Sequence, residues 1–290
     1  MRARQGWLRS QDGTKLWYRS IGAGPPILCC NGLGVPSYFW RHLAAHFADS
    51  HQVICWDYRG HGRSDQPPHL ARLRFDDLAA DGIQLVRHLE LSNVVGIGHS
   101  AGFQVLLGMY AAAPAAFAQL ISVQGTAGRT LSDFGDSPYG RLSFDLFYLL
   151  SVFYPNAVQL ALEALLRTPL PYYIGGLLGW LDTQKLRRRE MQHYFDHIRR
   201  LTPLGFATLA QAAEAYNMEH VLQTIRIPTL LIATEHDDFV PTRVVHTMQR
   251  RIPDSTIAIV HGATHAALME CPDQVNALVE QFLGTTKSGQ

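Results

Sequence analysis

Asn93-Val94-Val95-Gly96-Ile97-Gly98-His99-Ser100-Ala101-Gly102 is an apolar run that stops in a Gly-x-Ser-x-Gly turn, and residues 101–112 then carry helical composition up to Pro114. A short continuous apolar run of this kind reads as a strand buried on both faces. A strand that turns sharply into a helix at Gly98-His99-Ser100-Ala101-Gly102 is the setting of a nucleophile elbow. Small residues at 98 and 102 allow the tight turn, and Ser100 sits at its tip in a strained conformation. The Ala101 N–H, at the start of the helix, is placed to face a developing oxyanion with help from the helix dipole. Gly-x-Ser-x-Gly alone is weak evidence, because both residue types are common; its strand–turn–helix context makes it strong.

Working outward, the same pattern recurs. Pro25-Pro26 leads into Ile27-Leu28-Cys29-Cys30, which stops at Asn31-Gly32. Gln52 to Trp56 stops at Asp57, and Leu120 to Val123 stops at Gln124-Gly125. Thr229 to Ala233 and Ser255 to Val260 complete the series. Helix candidates such as 76–89 and 101–112 lie between them. The alternation predicts an α/β fold with a mostly parallel, doubly wound sheet, whose functional groups gather at the carboxyl ends of the strands. From Thr126 to about Leu204 strand signals vanish, and Tyr, Phe, Leu and Arg recur at helical spacing. That stretch reads as a helical insertion between two strands. The expected organisation is therefore a core of residues 1–125 and 205–290 with an inserted helical cap at 126–204. The cap has either a purely packing role or a greasy underside over the site; the two readings are compatible.

Composition agrees with an enzyme-sized globular chain. Its 290 residues are 47% hydrophobic and 17% charged, with a formal net charge of +1, so nothing predicts disorder or attraction to nucleic acid. Four cysteines are too few for a disulfide scaffold, and Cys29, Cys30 and Cys55 lie inside apolar runs, as reduced core thiols do. The amino-terminal residues carry charge with no apolar stretch after them, so no signal peptide is expected. The most apolar run, Leu146 to Tyr154, falls short of the ~20 residues a membrane-spanning helix needs. A cytoplasmic protein is the default expectation; oligomeric state is left open.

A serine hydroxyl needs a base, and the base an orienting carboxylate. For an elbow of this kind the expected chain order is Ser, acid, His, each just beyond a strand. Thr234-Glu235-His236-Asp237-Asp238-Phe239-Val240-Pro241 follows one strand, and His261-Gly262-Ala263-Thr264-His265 follows the next. Together with Asp57-Tyr58-Arg59-Gly60-His61-Gly62-Arg63-Ser64, Asp237-x-x-Val240-Pro241 and His265-x-x-x-x-Glu270-x-Pro272, these motifs make the chain resemble the α/β-hydrolase superfamily through most of its length. The resemblance implies Ser100 as nucleophile, Asp237 as acid in preference to Asp238 or Glu235, and His265 as base. It implies oxyanion donors at the Leu33 and Ala101 amides, with Asn31, Gly32, Gly34, Gly98 and Gly102 as supporting loop positions. It also implies that no cofactor or metal is needed, and the apolar insertion argues for a small ester-type substrate with a hydrophobic acyl or alcohol group. A thioester, polyester, lactone or C–C bond, acyl transfer, or a ligand receptor of low turnover remain as alternatives on the same residues. The Asn31-Gly32-Leu33-Gly34 loop resembles that of intracellular polyhydroxyalkanoate depolymerases.

Three positions depart from the family pattern. Asn31 stands where His is usual, and Thr234 and Thr264 stand where Gly is frequent. Other candidates read as structural. His42/His46 and His193/His197 are spaced four apart without a third ligand. His99 reads as a packing residue, His236 as solvated, and Asp57 and Arg59 as loop structure. The basic run Lys185-Leu186-Arg187-Arg188-Arg189 reads as a solvated helix face, with contact to a membrane surface beside the apolar insertion as the lesser alternative.

Overall fold

A computed structural model of the chain describes residues 3–134 and 138–287. Eight strands form one sheet: β1 Ala3–Arg9, β2 Lys15–Ile21, β3 Pro26–Cys30, β4 Gln52–Trp56, β5 Val94–His99, β6 Phe117–Val123, β7 Thr229–Thr234 and β8 Ser255–Val260. Their spatial order is β1-β2-β4-β3-β5-β6-β7-β8. β1 pairs antiparallel with β2, and β2 antiparallel with β4; every other pairing is parallel. The six parallel strands are the six runs read from the sequence. β1 and β2 escaped that reading because Arg4, Gln5, Arg9, Lys15 and Arg19 interrupt their apolar positions at the edge of the sheet.

Alternation along each buried strand feeds two cores, one per face of the sheet. In β3, Leu28 and Cys30 join the larger cluster while Ile27 and Cys29 join the other. The larger core takes residues from α2 (Phe75–His88) and α3 (Gly102–Ala112), the other from α1 (Arg41–Phe47). α2 is an ordinary amphipathic helix: it buries Leu78, Leu85 and Val86 and gives Asp76, Arg87 and His88 to solvent. α3 lies against the sheet and buries nine of its eleven residues, which explains its continuous apolar composition. The four cysteines are free and buried, and burial pushes the Cys30 thiol up to about 12.

Between β6 and β7 the chain forms α4 (Pro138–Phe153), α5 (Pro155–Leu166), α6 (Leu170–Leu177), α7 (Arg188–Arg200), α8 (Pro203–Ala215) and α9 (Glu219–Leu222). Prolines at the first turns of α5, α6 and α8 separate these helices, because Pro fits a helix start but not its interior. A third apolar cluster joins Leu166, Tyr172, Leu186, Met191 and Phe195 of this region to Val35, Phe39, Ala266 and Met269, on the loops after β3 and β8. α10 (Thr242–Gln249), α11 (Ala267–Glu270) and α12 (Pro272–Lys287) complete the fold. Among the described residues no single helix is long and apolar enough to cross a membrane.

Candidate active site

The carboxyl ends of β5, β7 and β8 converge. Ser100 follows β5 with φ of 55°, a left-handed backbone that costs a non-glycine residue energy. The turn holds because nothing larger than glycine fits beside it. A Cβ on Gly98 would lie 2.7 Å from Phe103 Cα, and one on Gly102 would lie 2.5 Å from the Asn31 carbonyl oxygen and closer still to that of Cys30. The Ser100 N–H donates to the Val123 carbonyl (3.1 Å), which ties the turn to the end of β6.

His265, on the turn after β8, places Nε2 2.9 Å from Ser100 Oγ and Nδ1 2.9 and 2.8 Å from the two carboxylate oxygens of Asp237. A carboxylate only accepts, so Nδ1 carries the proton and Nε2 offers its lone pair to the serine hydroxyl. Asp237 is buried; its Oδ1 also accepts from the N–H groups of Phe239 (2.8 Å) and Val240 (2.9 Å). Asp238 is exposed, and Glu235 turns away to accept from the Gly262 N–H (3.0 Å). Phe239 stacks on the His265 ring, with centroids 4.8 Å apart and planes at 24°.

The loop after β3 lies directly over the serine: a Cβ added to Gly32 would sit 3.2 Å from Ser100 Cβ. Leu33 follows it, and Ala101 precedes the first turn of α3. Gly34 has φ of 65°, and a Cβ there would meet Phe206 at 2.6 Å. Asn31 is buried and fully used: its Nδ2 donates to the Trp56 carbonyl (2.7 Å) and its Oδ1 accepts from Trp40 Nε1 (2.8 Å). It brackets the loop from behind.

Sequence reasoning missed Gln124, at the end of β6. Its φ of 52° turns a fully buried side chain into the site, where Nε2 is shared among Asp237 Oδ2 (2.9 Å), Thr234 Oγ1 (2.8 Å) and the Thr264 carbonyl (2.6 Å). The threonines at the two unusual positions thus belong to one network. Thr264 Oγ1 lies 2.8 Å from Glu270 Oε1 and 3.1 Å from the Trp180 carbonyl, and its N–H donates to Glu270 Oε2 (2.8 Å). Glu270 Oε1 also accepts from the Asp182 N–H (2.7 Å), so one carboxylate joins the His265 turn to the segment after α6. The only visible signal for Gln124 was its place just beyond a strand.

The remaining candidates lie elsewhere. His99 is buried, its Nε2 donates to the His265 carbonyl (3.2 Å), and burial with the nearby His265 holds it down to about 3, so it stays neutral. Arg59 is locked to Asp81 (2.7 Å) and Asp12 (2.8 Å), and Asp57 accepts from Ser37 N–H and Arg63 N–H. His46 lies 3.1 Å from Glu280, His193 packs on Tyr38, and His236 is exposed. Among the described residues no three His, Cys, Asp or Glu side chains are grouped to hold a metal ion.

An apolar cavity of about 290 Å³ lies among α4, α5, α7 and α8, lined by Phe144, Phe147, Leu162, Ile198, Leu201 and Phe206 among others. Two contacts connect its walls to the serine–histidine pair. Ile198 and Phe206 press on Gly34, and a ladder of rings runs from Phe144 through Phe134 and Phe239 to His265, with successive centroids 6.1, 4.6 and 4.8 Å apart.

A family model described as alpha/beta hydrolase fold matches residues 25–272. A putative carbamate hydrolase RutD from Azorhizobium caulinodans is 26% identical over 272 residues, 93% of this chain and 95% of the relative. The 3-oxoadipate enol-lactonase 2 of Acinetobacter baylyi is 27% identical over 280 residues, 95% of each chain. A bromoperoxidase from Bacillus anthracis superposes with a TM-score of 0.81 at 20% identity, covering 97% of this chain and 100% of the other, which is a likeness of fold.

Proposed function

The chain belongs to the α/β-hydrolase fold family, and we propose that it is a serine hydrolase that cleaves esters with a hydrophobic acyl or alcohol group through an acyl-enzyme. The observation that carries this reading is the continuous hydrogen-bonded line from Ser100 Oγ through His265 to Asp237. In this mechanism His265 Nε2 takes the hydroxyl proton as Ser100 Oγ attacks the ester carbonyl, and Asp237 holds the resulting imidazolium. The Leu33 and Ala101 amides receive the oxyanion of the tetrahedral intermediate. His265 then returns the proton to the departing alcohol. Water, deprotonated by the same imidazole, cleaves the acyl-enzyme and frees the acid. Residues 126–204 act as a cap, and the cavity they wall accommodates the apolar group, since such pockets are lined mostly by apolar side chains. A serine in place of a carboxylate nucleophile argues against haloalkane or epoxide chemistry.

A second reading, cleavage of a lactone, is favoured by the enol-lactonase of comparable length. It uses the same residues; only the leaving alcohol stays tethered to the acyl group.

The test is fluorophosphonate labelling with intact-mass readout, beside turnover of p-nitrophenyl esters of increasing chain length and a set of lactones. One adduct per chain, on Ser100, with many turnovers is the expected result, and the preferred ester measures the cavity. Ser100→Ala should lose at least ~10³-fold in kcat while keeping the thermal midpoint nearly unchanged. An undiminished rate in that variant sinks the proposal. Labelling without turnover on any ester or lactone would point to acyl transfer, C–C cleavage or a ligand receptor instead.

A further inference from the structure

The helices between β6 and β7 are apolar on the wrong side. Among the described residues nineteen large apolar side chains are exposed, and sixteen of them lie between Tyr139 and Trp180. They fall in stripes. On α4, Leu142, Leu146, Leu149 and Phe153 recur at steps of four, three and four residues, each at least 50% exposed. On α5, Leu160 and Leu165 face outward with Ala157, Ala161 and Ala164. On α6, Leu170, Tyr173, Ile174 and Leu177 repeat the helical period, Leu177 with 86% of its surface exposed. A helix packed on a core normally gives its polar face to water, as α2 does. Outward apolar stripes on three consecutive helices are the kind of exposed apolar surface that marks an interaction site.

Charge indicates what covers this face. Residues 138–200 carry eight basic and five acidic residues, while the rest of the chain has a slight acidic excess. The acidic side chains there are all in ion pairs: Asp145 with Arg141, Glu163 with Arg167, Asp182 with Lys185, Glu190 with Arg41 and Asp196 with Arg199. Arg187, Arg188 and Arg189 follow the apolar stretch and stand exposed. Leucine with Tyr, Phe and Trp, flanked by arginine, is the composition of a surface that lies in the headgroup region of an anionic bilayer. α4 and α5 meet at a bend of 119°, and neither is long enough to span, so such a surface lies on the membrane rather than across it. The same two helices supply Phe144, Phe147 and Leu162 to the cavity wall, so a chain leaving the lipid would meet apolar surface on its way in.

We propose that the outer face of α4–α6 docks on an anionic lipid surface through its leucine and aromatic stripes, with Arg187–Arg189 contacting the headgroups. Docking itself does not depend on the serine chemistry; its corollary, that the ester is drawn from the lipid phase, rests on the function proposed above. The experiment is co-sedimentation of the full chain with vesicles of phosphatidylcholine alone or with a minority of phosphatidylglycerol, at low and at physiological salt. The Ser100→Ala variant is run in parallel, so that a failure of the serine mechanism and a failure of docking are read separately. Binding to the anionic vesicles, weakened by salt, is expected, and equally for Ser100→Ala. Leu146→Asp, Leu160→Asp and Leu177→Asp together should weaken it at least ~10-fold with an unchanged far-ultraviolet spectrum, because a charge in the apolar face must be dehydrated. Arg187→Gln, Arg188→Gln and Arg189→Gln together should weaken it by roughly a hundredfold at low salt. Failure of the natural chain to sediment with anionic vesicles overturns the proposal. So does a stable dimer in light scattering that the three leucine substitutions dissociate, since the face would then belong to a second copy of the chain.

Discussion

At the scale of single residues, the candidate site is a set of hydrogen bonds, and the proposed roles follow their directions. Asp237 receives four donors from three directions, whereas its neighbour Asp238 is exposed. Asp237→Asn should therefore lower kcat by roughly 10³ to 10⁴-fold, by offering His265 a donor where it needs an acceptor. Asp238→Asn should stay within about twofold, as surface changes usually do. Steady-state kinetics on one ester decides, and a reversed order would move the acid by one position. In the proposed mechanism Gln124 acts through Asp237 as a positioning residue. Gln124→Met keeps the volume but removes a hydrogen bond to a charged group, so kcat should fall about 10- to 100-fold with KM little changed. A KM effect alone would contradict this role.

His197 illustrates how a residue far from the chemistry sets pH tolerance. It is buried against His61, with ring centroids 5.5 Å apart, and its Nδ1 accepts from the Gly62 N–H. Burial, with His61 and Arg200 nearby, holds it down to about 3 from an ordinary 6.5. The unfolded chain therefore binds a proton at His197 between those two values and the folded one does not. Stability contributed by neutral His197 is complete above pH ~6.5 and is lost as the pH falls toward 3. The thermal midpoint should drop on acidification from pH 7 to 5, and His197→Leu should flatten that slope. A slope that the substitution leaves untouched would assign the acid sensitivity to other groups.

At the scale of elements, strand ends do the positioning. β5 delivers Ser100, β6 delivers Gln124, and the turns after β7 and β8 deliver Asp237 and His265, so parallel pairing brings them to one edge of the sheet and the local turns aim their side chains. The elbow between β5 and α3 is the tightest of these joints. Gly102→Ala would drive a methyl against the carbonyls of Cys30 and Asn31 and push the loop after β3 away from Ser100. Overpacking of this kind costs about 1–3 kcal/mol, so the thermal midpoint should fall by several degrees and ester turnover with it. Calorimetry and kinetics on the same preparation test this, and an unchanged midpoint would show that the joint has slack. Much of this was legible in the sequence, because buried parallel strands are continuous apolar runs and the elbow has a local signature. The turns that hold Ser100, Asp237 and His265 could be located for that reason, while the choice of Asp237 over Asp238 or Glu235 rested on the family resemblance. Gln124 could not, since its part depends on one left-handed dihedral and on three acceptors 110 to 140 residues away. Thr234 and Thr264 looked like isolated departures because the Gln124 amide that joins them is 110 and 140 residues away, and Asn31 because its Trp40 and Trp56 partners lie on other elements. β1 and β2 were hidden because an edge hairpin with one solvated face needs few apolar residues.

At the scale of the whole molecule, the helices between β6 and β7 meet the rest of the fold through apolar contacts and through polar ones such as Arg41–Glu190, Gly62–His197 and the shared Glu270 carboxylate. Both oxygens of Glu270 are occupied, by the Thr264 N–H, the Thr264 hydroxyl and the Asp182 N–H, and Thr264 directly precedes His265. A carboxylate shared in this way works as a latch with two leaves. Displacing the turn at Asp182 would strip Glu270 of a donor and Thr264 of its neighbour at Trp180, and both losses would fall on the backbone that carries the imidazole. The seating of the segment after α6 and the placement of the His265 ring are thus mechanically tied, so a change at Asp182 or Trp180 would be felt at the imidazole.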